Sequence, residues 1–449
     1  MSSSSATRGG KRGSPLELPR GYRARRGLNW GVVGLLYTSF YMCRYNLPLA
    51  NKSIADEFGF SKSDMSDIIS TQLYAYAIGQ VVNGLLTDKL GGKKAMLIGA
   101  AGTVLMNLAF GAASFASMLG LFMLIRGIDG YAQSFGAPGF IKINASWFST
   151  KERGTFAGIF GFMINLGRLF NNWLAPSLLA GFVFLGMWHV PPLHWRWLFW
   201  VPAGIATIAA IGLAIFVKDT PEEAGFHGIY KGEADHDDAN ARGDMMETFK
   251  RIVTNKFVWI IAAAYSCTGA VRQTVDQWFP RYLQEVHHLD MKSATFQWVA
   301  FLIPFVASAG SLISGIISDR FFDGRRAPVA MGIYLIELVV IVIAAQMKGP
   351  TAIAIAFVAI SFTVNSTHSL LGPAAAMDIG GRKMAAFASG CINSFQYVGA
   401  GLAIQVLGRV LDTTGYTYFF YYMIPFAIVG AILMYSISHH TSLKGAGGH

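Results

Sequence analysis

About twelve stretches of roughly 20 predominantly apolar residues recur along this chain, and that length is what a helix needs to cross a bilayer. In lipid each backbone polar group must be satisfied inside its own segment, so such runs are read as membrane-spanning helices. They fall near 28–50, 66–87, 94–115, 117–142, 154–185, 197–217, 256–280, 294–318, 328–347, 351–377, 385–408 and 417–438, with the longest gap after the sixth. Only 14% of the 449 residues are charged and mean hydropathy is +0.42. An average globular chain has about 25% charged residues, so this is the composition of an all-α integral membrane protein.

The net charge of +11 invites a nucleic-acid reading, and its distribution removes it. With the N-terminus on the cytoplasmic side, about 24 of the 36 Lys and Arg fall in the tail and the loops of that side, including Arg8 to Arg26, Lys89, Lys93, Lys94, Lys151, Arg153, Arg320, Arg325, Arg326, Arg382, Lys383 and Lys444. About seven fall opposite, the asymmetry of the positive-inside rule, so both termini are expected inside. Cys43, Cys267 and Cys391 all lie in apolar runs, which gives neither a disulfide framework nor a metal cluster. The Ser- and Arg-rich opening, Met1 to Arg26, reads as a cytoplasmic tail without a cleavable signal, although it faintly resembles a transit peptide.

One motif occurs twice. Gly84, Asp88, Lys89, Gly91 and the pair Lys93–Lys94 follow the second run; Gly315, Asp319, Arg320, Gly324 and the pair Arg325–Arg326 follow the eighth. The two aspartates are 231 residues apart, in equivalent loops if six helices repeat after six. The glycine–aspartate–basic loop in each half resembles the hallmark of the major facilitator superfamily. That resemblance implies twelve transmembrane helices in two six-helix bundles: residues 1–217 with the basic tail, a linker over 218–255, and 256–449. Its physical logic is a close helix approach at Gly84 and Gly315 with a charge network at the gating loops; a purely structural anchor is the alternative.

The linker is polar, and its Asp235-His236-Asp237-Asp238 cluster lacks the spacing and glycine of an EF-hand, so it reads as solvated chain. No phosphate-cradling loop or dinucleotide fingerprint stands in a strand–helix context. No cofactor and no enzymatic activity are expected, and uphill transport must draw on another gradient.

An ionisable side chain at mid-membrane is costly, so it is a functional candidate by default. Arg44 in the first run and Arg272 in the seventh are 228 residues apart, nearly the interval between the loop aspartates. Matched repeat positions face one another across a central cavity. Arginine's planar fork binds carboxylate or phosphate oxygens in pairs, and two forks suit a dianion such as phosphate. The alternative is internal pairing of Arg272 with Asp276 one turn on, but Arg44 has no acid on its own helix.

Tyr37, Tyr41, Arg44 and Asn46, the pair Ala75–Tyr76, and Arg272, Trp278, Pro280, Tyr282 and Leu283 narrow the resemblance to the organophosphate:phosphate antiporter family and its glycerol-3-phosphate carriers. The segments 147–154 and 219–225 are similar to that family as well. The resemblance implies that Arg44 and Arg272 clasp a phosphate, with Tyr37, Tyr41, Tyr76 and Trp278 lining the site. The sequence departs from the family at Tyr45 and Gln80, where lysines are expected, in Gln133-Ser-Phe-Gly136-Ala137-Pro138, and at Ile164, where a histidine is expected. Arg168, one turn after Ile164, is either a third cavity arginine favouring a more acidic cargo or the partner of an acid such as Glu337 or Asp129.

Arg126 and Asp129, three apart, read as a structural pair with a possible gating role; Glu337 and His368 as proton relays or structural groups; Asn393, Gln396 and Tyr397 as cavity lining or interhelical bonds. The expected activity is exchange of an anionic phosphorylated small molecule, glycerol-3-phosphate-like or a related phospho-acid, for inorganic phosphate. It is expected of a monomer in a bacterial inner membrane, with the bilayer its only other partner. A proton-coupled carrier of another organic anion and a non-transporting phosphate-ester sensor are the alternatives.

Overall fold

The structure, a computed structural model, describes residues 19–148, 153–184, 186–227, 229 and 254–438. The basic tail to residue 18, Lys151, Glu152, the Asp235–Asp238 cluster and Lys444 lie outside the described residues.

The first span is two helices, α1 (Tyr22–Arg44) and α2 (Asn46–Phe58), interrupted at Tyr45. Pro48 explains the break: it has no N–H to offer the carbonyl four residues back, at Arg44, and its ring crowds that carbonyl. The second and third spans are α3 (Lys62–Leu90) and α4 (Gly92–Ala113). The fourth is again divided, into α5 (Leu119–Gln133) and α6 (Gly136–Trp147). Then come α7 (Arg153–Ala180) and α8 (Trp197–Phe216). In the second half α9 is Lys256–Val286, α10 Ala294–Phe321, α11 Arg326–Gln346 and α12 Pro350–Ser369. A π-helical turn, Leu370–Ala374, leads from α12 into α13 (Ala375–Thr414), and α14 is Ile424–Ser438.

These helices make the twelve spans expected, with one correction. The fifth run was read as helical to 185, but α7 stops at Ala180. The chain turns at Gly181 (φ 78°) into a two-strand hairpin, β1 (Phe182–Phe184) and β2 (Trp188–Val190). Six helices, α4, α8, α10, α11, α12 and the last span, are long and apolar enough to cross a bilayer unaided. The remaining spans are more polar, and they carry the buried arginines and aspartates described below, whereas Glu337 and His368 lie on α11 and α12.

Each half packs its own helices together: α4 on α8 and α3 on α5 in the first, α10 on α12 and α11 on α14 in the second. The halves meet along α3 against α13, α7 against α10, and α2 against α9. The helix ends on one side carry the paired basic loops; this is the basic face. The other face is sealed between the halves. Asp412 accepts from the N–H groups of Lys62 (2.8 Å) and Ser63 (2.9 Å), at the first turn of α3. Arg281 donates to Asn51 (2.8 Å), Gln405 to Asp67 (3.0 Å), Tyr74 to Gln405 (3.1 Å), and Ser70 to the Gly401 carbonyl (2.9 Å). Gly408 is needed here, since a Cβ would lie 2.5 Å from Ser66 Oγ and 2.9 Å from the Lys62 carbonyl.

Toward the basic face the bonds between halves end at Ser394 to the Ala77 carbonyl (2.9 Å) and Asn393 to Gln80 (3.1 Å), among the described residues. The close helix approach expected at Gly84 and Gly315 is not made, because a Cβ at either would meet nothing within 4 Å. The loop aspartates are instead held inside their own halves. Lys142 lies 3.2 Å from Asp88, and Arg326 donates to Asp319 (2.8 Å); Lys89 and Arg320 point to the exterior.

Candidate functional site

Five of the described arginines are no more than 5% exposed: Arg281, in the seal, and Arg44, Arg126, Arg168 and Arg272. Their partners decide which is free to bind a ligand.

Arg126 is committed to structure. It pairs with Asp129 at 3.0 Å, as the i,i+3 spacing predicts, and donates to the carbonyls of Cys43 (3.2 Å) and Arg44 (2.8 Å). Pro48 leaves the second of these carbonyls without its helical donor. Arg126 therefore stabilises the break in the first span and fixes where Arg44 sits. Asp129 also accepts from Gln133 (3.0 Å), Gln72 (3.3 Å) and Asn107 (3.3 Å), and Asn107 in turn accepts from Asn46 (2.8 Å). The asparagine of the first-span motif thus serves the network behind the site.

Arg44 closes that chain from the other end. Its Nε donates to Gln133 Oε1 (2.8 Å), and Nη1 lies 3.5 Å from the Tyr397 hydroxyl. Its guanidinium sits 4.2 Å from the Tyr76 ring centre and 4.8 Å from that of Tyr41, within cation–π range. Among the described residues no carboxylate pairs with it. Tyr37 stands behind, 5.4 Å ring to ring from Tyr41.

In the other half, both ring nitrogens of His368 are 3.4 Å from Arg272 Nη1, and His368 Nδ1 is 2.7 Å from the Tyr265 hydroxyl and 3.2 Å from Gln396. Arginine can only donate, so this contact requires an unprotonated imidazole. Arg272 Nε is 3.8 Å from Asp276 Oδ2, the one-turn contact foreseen. Arg44 and Arg272 share Tyr41 and Tyr397 as electrostatic neighbours.

Arg168 pairs with neither acid proposed for it. Its partner is Asp276, in the other half, and the two share a direct hydrogen bond. Gly167 lets α7 come this close to α1: a Cβ there would collide with the Thr38 carbonyl and would lie 2.7 Å from Tyr41 Cβ. Tyr45 completes the cluster, its ring 4.8 Å from the Arg168 guanidinium and its hydroxyl donating to Asp276 (3.4 Å). Asp276 therefore sits between Arg168 and Arg272 and joins the halves.

The structure brings Arg44, Arg272, Tyr37, Tyr41, Tyr76 and Arg168 into one central region. Trp278 is fully buried in an apolar cluster that includes Leu47, Phe279, Phe357 and the site residue Tyr76, and its ring lies 5.6 Å from the Arg281 guanidinium. Glu337 is buried in α11 with no hydrogen-bond partner on either oxygen among the described residues. Gln133 is the member that the sequence reading passed over as a remnant of a motif. Its signal was the spacing from Asp129, four residues and so one face of the helix.

Two halves around a central buried arginine cluster define the class, and comparison with known proteins agrees. The pattern of the Major Facilitator Superfamily matches residues 33–404. The chain is a multi-pass membrane transporter of that superfamily, not an enzyme. Its fold matches a bacterial homologue of the human lysosomal transporter Spinster, in an inward-facing and unoccupied conformation, with TM-score 0.70 at 14% identity over 94% of this chain and 98% of that one. It also matches a D-xylose–proton symporter, with TM-score 0.68 at 12% identity over 92% and 97%. Curated relatives are more specific. A glycerol-3-phosphate transporter of Bacillus subtilis is 27% identical over 410 residues, 89% of each chain. A phosphoglycerate transporter protein of Salmonella typhimurium is 27% identical over 428 residues, 92% of this chain and 88% of that one. The membrane sensor protein UhpC of Escherichia coli is 27% identical over 420 residues, 90% of each. Within the superfamily these relatives support the resemblance to the organophosphate:phosphate antiporter family.

Proposed function

We propose that this transporter exchanges an anionic organophosphate, glycerol-3-phosphate-like or a related phospho-acid, for inorganic phosphate by alternating access. The observation that carries the reading is Arg44: a buried guanidinium, oriented by Gln133 and flanked by Tyr41 and Tyr76, that shares Tyr41 and Tyr397 with Arg272 and has no carboxylate partner among the described residues. A buried cation held in this way calls for an anionic ligand. The names of the glycerol-3-phosphate and phosphoglycerate carriers among its relatives support the phosphorylated cargo.

The basic face is taken as cytoplasmic by the positive-inside rule, in a bacterial inner membrane with both termini inside. The seal on the opposite face then makes this the inward-facing arrangement. Bundles at 1–217 and 256–449, joined by a linker at 218–255, rock about the arginines, and cargo binding offsets their mutual repulsion. One relative is named a sensor, which keeps a second reading alive: a receptor that binds phosphate esters without moving them. Proteoliposomes loaded with phosphate decide between them. The exchanger takes up labelled phosphate without a pH gradient; dependence on that gradient, or no turnover, overturns the antiport reading.

A further inference from the structure

The charges that surround the central site can be counted. Arg44, Arg168 and Arg272 contribute three positive charges, and Asp276 one negative charge. Arg126 and Asp129 cancel each other behind them. His368 accepts from Arg272 and is neutral, and the remaining polar neighbours, Tyr41, Tyr45, Tyr76, Tyr265, Tyr397, Gln133 and Gln396, are neutral as well. Among the described residues the net charge is two positive. Arg168 alone would have raised it to three, but Asp276 takes that charge up from the other half.

Resting on the exchange reading above, we infer that Asp276 is a specificity-determining residue: it occupies the place a second acidic group of the cargo would take at Arg168. The site thereby selects dianions, a phosphate monoester with an uncharged remainder, over trianions that add a carboxylate. A phosphate monoester carries close to two negative charges at neutral pH, as inorganic phosphate nearly does, so either one neutralises the site. A phospho-carboxylate brings a third charge and must displace Asp276, leaving a surplus anion in a buried space. Arg168 Nη1 and Arg272 Nε, buried on either side of Asp276 without hydrogen-bond partners among the described residues, are the donors such a carboxylate would find once Asp276 were neutral.

The test compares glycerol 3-phosphate with 3-phosphoglycerate, which differ by a hydroxymethyl group in place of a carboxylate. Both are used to inhibit labelled phosphate exchange in proteoliposomes of the full-length protein at pH 7.5. The ratio of their inhibition constants is internal to one preparation and independent of how much protein folds. The wild type is expected to favour the dianion by about tenfold, the scale of one charge-assisted hydrogen bond. Asp276→Asn shifts the ratio toward the trianion, and Asp276→Glu keeps the wild-type order. The pair Arg168→Gln with Asp276→Asn, which restores two positive charges, returns the preference to the dianion. A wild type that favours the trianion, or an Asp276→Asn ratio equal to wild type, overturns the inference while phosphate exchange persists. Absence of phosphate exchange in the wild type overturns the exchange reading and this inference with it.

Discussion

Arg168 and Asp276 stand 108 residues apart in different halves of the molecule and meet in a hydrogen-bonded ion pair, at 4% and 2% side-chain exposure. The pair links α7 to α9, so one of the contacts between the halves and the charge of the site depend on the same two side chains.

Replacing Arg44 or Arg272 with lysine keeps the charge and removes the fork. Each substitution is expected to weaken phosphate binding about tenfold or more, from the loss of a charge-assisted hydrogen bond. Phosphate exchange as a function of concentration measures this, and unchanged affinity in both variants removes the two arginines from the site.

Gln133 holds Arg44 Nε while its own amide donates to Asp129. Gln133→Glu introduces one carboxylate, with one oxygen against Arg44 and the other beside Asp129. Phosphate affinity should fall by more than in Gln133→Leu, because the new anion occupies the free guanidinium. Equal affinities in the two variants would mean that Arg44 does not need its charge exposed.

Arg126 and Asp129 are each 1% exposed. Removing either one leaves a buried charge without its partner, a loss of about 3–5 kcal/mol, whereas replacing both with apolar residues costs much less. Thermal unfolding in detergent should place Arg126→Met and Asp129→Leu well below the double variant. Arg126 also bonds two backbone carbonyls, so Arg126→Met should be the worse of the two singles.

Gly408→Leu cannot be accommodated against Ser66 and the Lys62 carbonyl, so it should hold the sealed face open. A cysteine placed at Ser70, 1% exposed in the seal, then reacts with a membrane-impermeant maleimide in the Gly408→Leu background and is protected otherwise. Equal protection in both backgrounds would show that the seal tolerates the leucine.

The spans, the repeat and the matched arginines were legible because each is a local pattern or a fixed interval. The break at Pro48 was not read from the sequence, and its consequence could not be: the freed Arg44 carbonyl finds Arg126, 82 residues away. The partner of Arg168 was missed for the same reason. A contact between α7 and α9 has no signature in either helix, and the sequence offered Glu337 and Asp129 only as instances of an acid that could pair with it. Gly84 and Gly315 show a further limit, since a motif carries no record of which arrangement of the halves puts it to use.

The hydrogen bonds that close one face set a condition on the rest of the molecule. A machine that alternates must replace them, on the reverse stroke, with contacts of nearly equal worth at the other end. Each imbalance of about 1.4 kcal/mol changes the resting population tenfold. The strength of Asp412 on the first turn of α3, or of Arg281 on Asn51, is thus a timing element as much as a structural one. Residues far from the cargo then govern how long the carrier waits on each side of the membrane.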